Sequence, residues 1–98
     1  MNKVDAMTAS RYARPEPARW IPNPAQVTHA PYRREPYIRV TWHDGSVRDG
    51  KAMAWTRDRV LFHAEPEGVV TDEWVPASAV HRISREESSW VDPYDLLR

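Results

Sequence analysis

The chain has no cysteine. That removes disulfides, thiolate catalysis and every cysteine-based zinc or iron–sulfur site. Only three glycines are present, too few and too scattered for a loop that cradles phosphate. Lysine is nearly absent, two against twelve arginines, and 14 basic side chains are matched by 14 acidic ones. No global field therefore favours nucleic acid, anionic lipid or a polyanionic substrate. No run approaches the ~18 apolar residues of a membrane span. Met1-Asn2-Lys3-Val4-Asp5 also lacks the apolar core of a secretory signal. The expectation is a soluble, cytoplasmic chain with no membrane partner.

Proline and tryptophan are what the sequence has in quantity. Six of nine prolines (Pro15, Pro17, Pro22, Pro24, Pro31 and Pro36) precede residue 37. Each removes a backbone donor and biases its predecessor toward extended conformations. Residues 1–36 therefore read as a proline-rich, largely disordered tail, mildly basic at six positive against three negative side chains. The remaining residues carry 8 basic and 11 acidic groups.

From residue 37 the pattern alternates. Ile38, Val40 and Trp42 share one face, and Tyr37, Arg39, Thr41 and His43 share the other. Asp44-Gly45 marks a hairpin turn, because glycine tolerates the positive φ required there. A second strand runs from Val47 toward Thr56, with a bulge or bend expected at Gly50. Arg57-Asp58 connects to Arg59–Ala64, and Glu65-Pro66-Glu67-Gly68 forms the next turn. Val69 to Val75 reads as a fourth strand closed by Pro76. Ala77-Ser78-Ala79 fits one helical turn, and Val80–Ile83 a short last strand. With no room for crossover helices, five such strands make an antiparallel meander, and closing it hides its edges. The expected core is Ile38, Val40, Trp42, Val47, Ala52, Ala54, Val60, Phe62, Val75, Val80 and Ile83.

The series Val40-x-Trp42-x-Asp44-Gly45, Ala52-x-Ala54, Val60-x-Phe62 and Trp74-Val75-Pro76-x-x-x-Val80-x-x-Ile83 resembles the SH3-like barrels, Tudor-type most closely. The resemblance spans residues 37–84 and implies an all-β, five-stranded antiparallel barrel. Its motifs are spacing and turns, so it specifies a fold more than a function. Tudor-type domains can enclose a methylated cation in aromatic walls. Trp42 and Phe62 match two such walls, while Arg48 and Glu65 fall at the other two, where cationic Arg48 repels a methylammonium.

Residues 85–98 form a C-terminal tail. Asp92 before Pro93 is a helix start, and Trp90, Val91, Tyr94 and Leu97 form an apolar side expected to dock as a short helix on the barrel or a partner.

For catalysis no constellation exists. Asp72 and Glu73 are adjacent, so on a strand they point to opposite faces, and no serine lies in a nucleophile-elbow context. His43, His63 and His81 have no ligand spacing, so neither metal nor cofactor is expected. The functional expectation is a non-catalytic module that binds a protein segment, as monomer or weak homodimer. Tyr37, Trp55 and Trp74 exceed what so small a barrel can bury, and with Arg57 and Arg59 they have interface composition. The opposing structural explanation is that the chain's own tails cover these rings. The alternative function is association with nucleic acid through Arg33, Arg34, Tyr32 and Trp20, arginines tracking phosphate while aromatics stack on bases.

Overall fold

The computed structural model describes residues 20–96. They form an antiparallel sheet of six strands: β1 (Thr28–His29), β2 (Tyr37–Thr41), β3 (Val47–Trp55), β4 (Arg59–Ala64), β5 (Thr71–Pro76) and β6 (Val80–Arg82). The ladder runs β5–β4–β3–β2–β6, and β1 pairs with the end of β3. All-β is the class read from the alternation.

The five-strand closed barrel is corrected. The sixth strand comes from the proline-rich segment, where Thr28 and His29 lie opposite Trp55 and Ala54. Ala30 N–H also donates to the Met53 carbonyl at 2.9 Å. Proline density misled here because Val27 to Ala30 is a proline-free gap long enough for two ladder residues. The ladder does not close: β6 is three residues long and pairs with β2 but not with β5. The tail expectation for residues 1–19 lies outside the described residues, whereas residues 20–36 run along the sheet.

The hairpin between β2 and β3 forms as its turn chemistry dictates. Gly45 adopts φ +86°, its N–H bonds the Trp42 carbonyl at 2.9 Å, and Asp44 accepts from the Ser46 amide at 2.9 Å. The loop opening β4 is fixed by Arg59 N–H donating to Thr56 Oγ1 at 3.1 Å. The turn Ala77–Ala79 stands before the last strand as expected.

Ile38, Val40, Trp42, Ala52, Phe62, Ala64, Val75 and Ala79 form the core on one face of the sheet. Trp42 and Phe62 meet edge to face, centroids 6.0 Å apart. Val47, expected inside, is instead 53% exposed at the hairpin mouth. Gly50 is not the bulge: the register shift falls between Ala52 and Ala54. Glycine serves at 50 because a Cβ there would lie 2.6 Å from Phe62 Cε1. The C-terminal helix is corrected too. Pro93–Leu96 makes a single 3-10 turn. Among the described residues no helix is long and apolar enough to cross a membrane.

Candidate functional site

Strand register lines up a polar row on the face opposite the core. Tyr37 lies across from Lys51, Lys51 from His63, and His63 from Asp72. Lys51 is the most enclosed of them, 2% exposed. Three carboxylates surround its ammonium: Glu35 at 2.9 Å, Asp92 at 3.2 Å and Asp95 at 3.2 Å. Burial alone pulls a lysine toward neutrality. Here the hydrogen bonds to Glu35, Asp92 and Asp95 outweigh it and hold Lys51 above its ordinary range. These pairs make Lys51 a clasp between the sheet and the segments that carry the carboxylates.

The C-terminal segment supplies two of those carboxylates and lies as a strap over the row. Asp92 N–H donates to Tyr37 Oη at 3.0 Å, and Asp92 Oδ1 caps the terminal turn by accepting from Tyr94 N–H at 2.9 Å. Tyr37 donates in turn to Asp95 Oδ2. Burial, then that bond, pushes the Tyr37 hydroxyl up to about 12. A second clamp lies farther along: Arg39 forks onto Asp49 at 2.8 and 3.1 Å, and Asp49 also accepts from Ser89 N–H at 2.8 Å. The Arg39 pairing holds the Asp49 carboxyl below its usual range, burial opposing. Between the clamps, Trp90 packs against Tyr37 and His63, ring centroids 6.4 and 6.0 Å away.

Beside the strap opens a cleft of about 560 Å³, between the β2–β3 hairpin mouth and the β4–β5 loop. Its floor is apolar, from Phe62, Ala64 and Trp90, and its rim carries Val47, Arg48, Pro66 and Glu67. Glu67 holds φ +55°, a left-handed conformation uncommon for glutamate. Val69 and Val70, in the same loop, are 64% and 58% exposed.

The residues singled out from sequence separate in space. Tyr37 is buried under the strap. Trp74 is covered edge to face by Trp20 at 5.3 Å, and Arg59 lies over Trp20 at 4.8 Å. Trp55 is half-buried against the core, and Arg57 is exposed in its turn. The chain's own segments thus cover two of the three rings. Of the nucleic-acid set, Tyr32, Arg33 and Arg34 share one exposed turn while Trp20 is engaged elsewhere. His43, His63 and His81 do not converge. Among the described residues no group of three or more histidines and carboxylates is arranged to hold a metal ion. Lys51 was missed: a lone lysine among arginines carries no motif, and two of its three partners follow it by more than forty positions.

The chain matches no protein-family model, no curated protein and no solved structure in comparisons with each.

Proposed function

We propose that this protein is a non-catalytic interaction module of SH3-like, Tudor-type architecture that binds an extended protein segment. The strand order β5–β4–β3–β2–β6, with a helical turn before the last strand, supports the architecture. The observation that carries the binding reading is the open 560 Å³ cleft with an apolar floor and exposed Val47 at its rim, beside the loop that also exposes Val69 and Val70. Sites that hold ligands combine such a floor with a few polar groups at the rim, here Arg48 and Glu67. The left-handed Glu67 is consistent with a loop shaped for contact, since unusual backbone conformations cluster at binding sites. The binding address therefore moves from Tyr37 and Trp74, which the chain covers itself, to the cleft.

The test is selection of peptides from a display library against the full chain, followed by amide-shift mapping. Shifts at Val47, Arg48, Glu67, Val70 and the Trp90 indole are expected. Val47→Asp with Val70→Asp should weaken binding at least about tenfold, a loss of ~1.4 kcal/mol. Peptides that bind the folded double variant as well as wild type would remove the cleft from the proposal.

A further inference from the structure

A second surface lies on the outside of the strap and does not depend on the cleft. Pro31 to Arg34 is a tight turn, closed by Arg34 N–H to the Pro31 carbonyl at 3.0 Å. Arg33 occupies its third position at φ +62°, where glycine or asparagine is the less strained choice. The turn is held in that shape by Arg33 N–H on Glu35 Oε2 at 3.1 Å. It presents Tyr32 at its tip, 86% exposed. Far along the chain, Tyr94 and Leu96 stand 64% and 67% exposed on the strap, Tyr94 lying 61 positions after Arg33. Two guanidiniums hold the strap here, one of them from the turn. Arg33 Nη2 donates to the Tyr94 carbonyl at 2.9 Å, and Arg85 Nη1 to the next carbonyl, Asp95, at 3.3 Å. Those bonds use one donor of each five-donor fork. Arg34 is exposed beside them.

We propose that Tyr32, Tyr94 and Leu96, ringed by Arg33, Arg34 and Arg85, form a docking surface for a protein segment that pairs carboxylates with an apolar or aromatic side chain. The composition is that of interface centres, where tyrosine and arginine carry much of the binding energy. The charge is complementary to carboxylates, which a guanidinium fork grips in bidentate fashion. The same three residues Tyr32, Arg33 and Arg34 also suit single-stranded nucleic acid, which would place bases on the rings. One feature favours protein: Leu96, 67% exposed, has no role in base stacking and suits an apolar side chain of a protein segment.

The experiment titrates the full ¹⁵N-labelled chain with three probes. They are a synthetic peptide alternating aspartate with leucine and phenylalanine, the same peptide with asparagine for aspartate, and oligothymidine. The acidic peptide should shift Tyr32, Arg33, Tyr94 and Leu96 and bind at least about tenfold more tightly than the amide control, each tenfold step being ~1.4 kcal/mol. Arg33→Gly relieves the left-handed strain, so it should fold at least as well while losing most of this affinity. Arg85→Gln should weaken binding without unfolding. Unchanged affinity in either folded variant, or no binding by the acidic peptide, overturns the proposal. Oligothymidine shifting the same residues more tightly than the peptide overturns it in favour of nucleic acid. Shifts confined to Val47, Glu67 and Trp90 overturn it while leaving the cleft proposal standing.

Discussion

Lys51 and Tyr37, opposite each other across the β2–β3 ladder, share one carboxylate oxygen. Asp95 Oδ2 lies 3.2 Å from the Lys51 ammonium and accepts the Tyr37 hydroxyl. That shared atom ties the last turn of the chain to the middle of the sheet. The lysine ammonium is also 5.5 Å from the Tyr37 ring centre, within cation–π range. Sheet, strap and the 31–36 segment therefore meet at one buried charge.

Removing that charge should be severe. Lys51→Met keeps the stem but leaves Glu35, Asp92 and Asp95 facing one another without a cation. Breaking a buried ion pair from one side costs about 3–5 kcal/mol, and urea unfolding monitored by tryptophan fluorescence should show a loss of that size. Adding Asp92→Asn and Asp95→Asn to Lys51→Met should restore part of it, because the groups act as one network. Additive losses would contradict the clasp.

The same network sets the pH limits of stability. Glu35 and Asp95 lie below their ordinary 4.5 and 3.8; burial raises them, but Lys51 and other hydrogen bonds win. Asp49 is lowered chiefly by Arg39. Depressed carboxylates contribute stability that is full above their ordinary range and lost as pH falls from there through their lowered folded values. On the alkaline side Tyr37 rises from 10.0 to about 12, and Lys51 rises from 10.5. Both contributions are full below pH 10 and are lost as pH climbs through the raised values. Chemical denaturation across pH should give a plateau with losses at both ends. Asp95→Asn should flatten both limbs, whereas unchanged limbs in that variant would detach Asp95 from the effect.

Much of the sheet was legible because its evidence is local. Alternation over residues 37–42 placed Ile38, Val40 and Trp42 inside, and Asp44-Gly45 located the hairpin. Phase failed where context decides. Val47 belongs to the core only if the phase slips at Gly50; with the shift instead between Ala52 and Ala54, it lies opposite Thr41 on the face of Asp49 and Lys51. Tyr37 falls on the solvent face by period, yet is buried because a strap fifty residues later crosses it. The clasp was illegible for the same reason: register brings Lys51 under Asp92 and Asp95, and nothing in their separate neighbourhoods announces it. The alternative that tails cover the surface aromatics was open from the tryptophan surplus alone.

Gly50 gives a packing test that is independent of charge. Its missing side chain leaves room for the Phe62 ring and the His63 carbonyl on β4. Gly50→Ala forces a Cβ to within 2.6 Å of Phe62 Cε1. Phe62 is 1% exposed and cannot swing outward. Overpacking of this kind costs about 1–3 kcal/mol, and the upper end is expected because a backbone carbonyl is also in the way. A thermal midpoint unchanged in Gly50→Ala would mean the two strands are farther apart than described.

Trp20 decides whether Trp74 is a surface or an interior residue. The two rings meet at 5.3 Å and 62°, and Arg59 stacks on the far partner at 4.8 Å. An aromatic pair contributes about 0.5–1.5 kcal/mol beyond the area it buries. Trp20→Ala should therefore lower unfolding free energy by roughly 1 kcal/mol or slightly more, since some apolar area is lost as well. The Trp74 indole resonance should move as its cover leaves. Trp74→Ala should cost a similar amount, and the double variant less than the sum of the two, because each single change already breaks the pair. A folded Trp20→Ala with an unmoved Trp74 indole would place residue 20 elsewhere, and would return Trp74 to the set of exposed aromatics available to a partner.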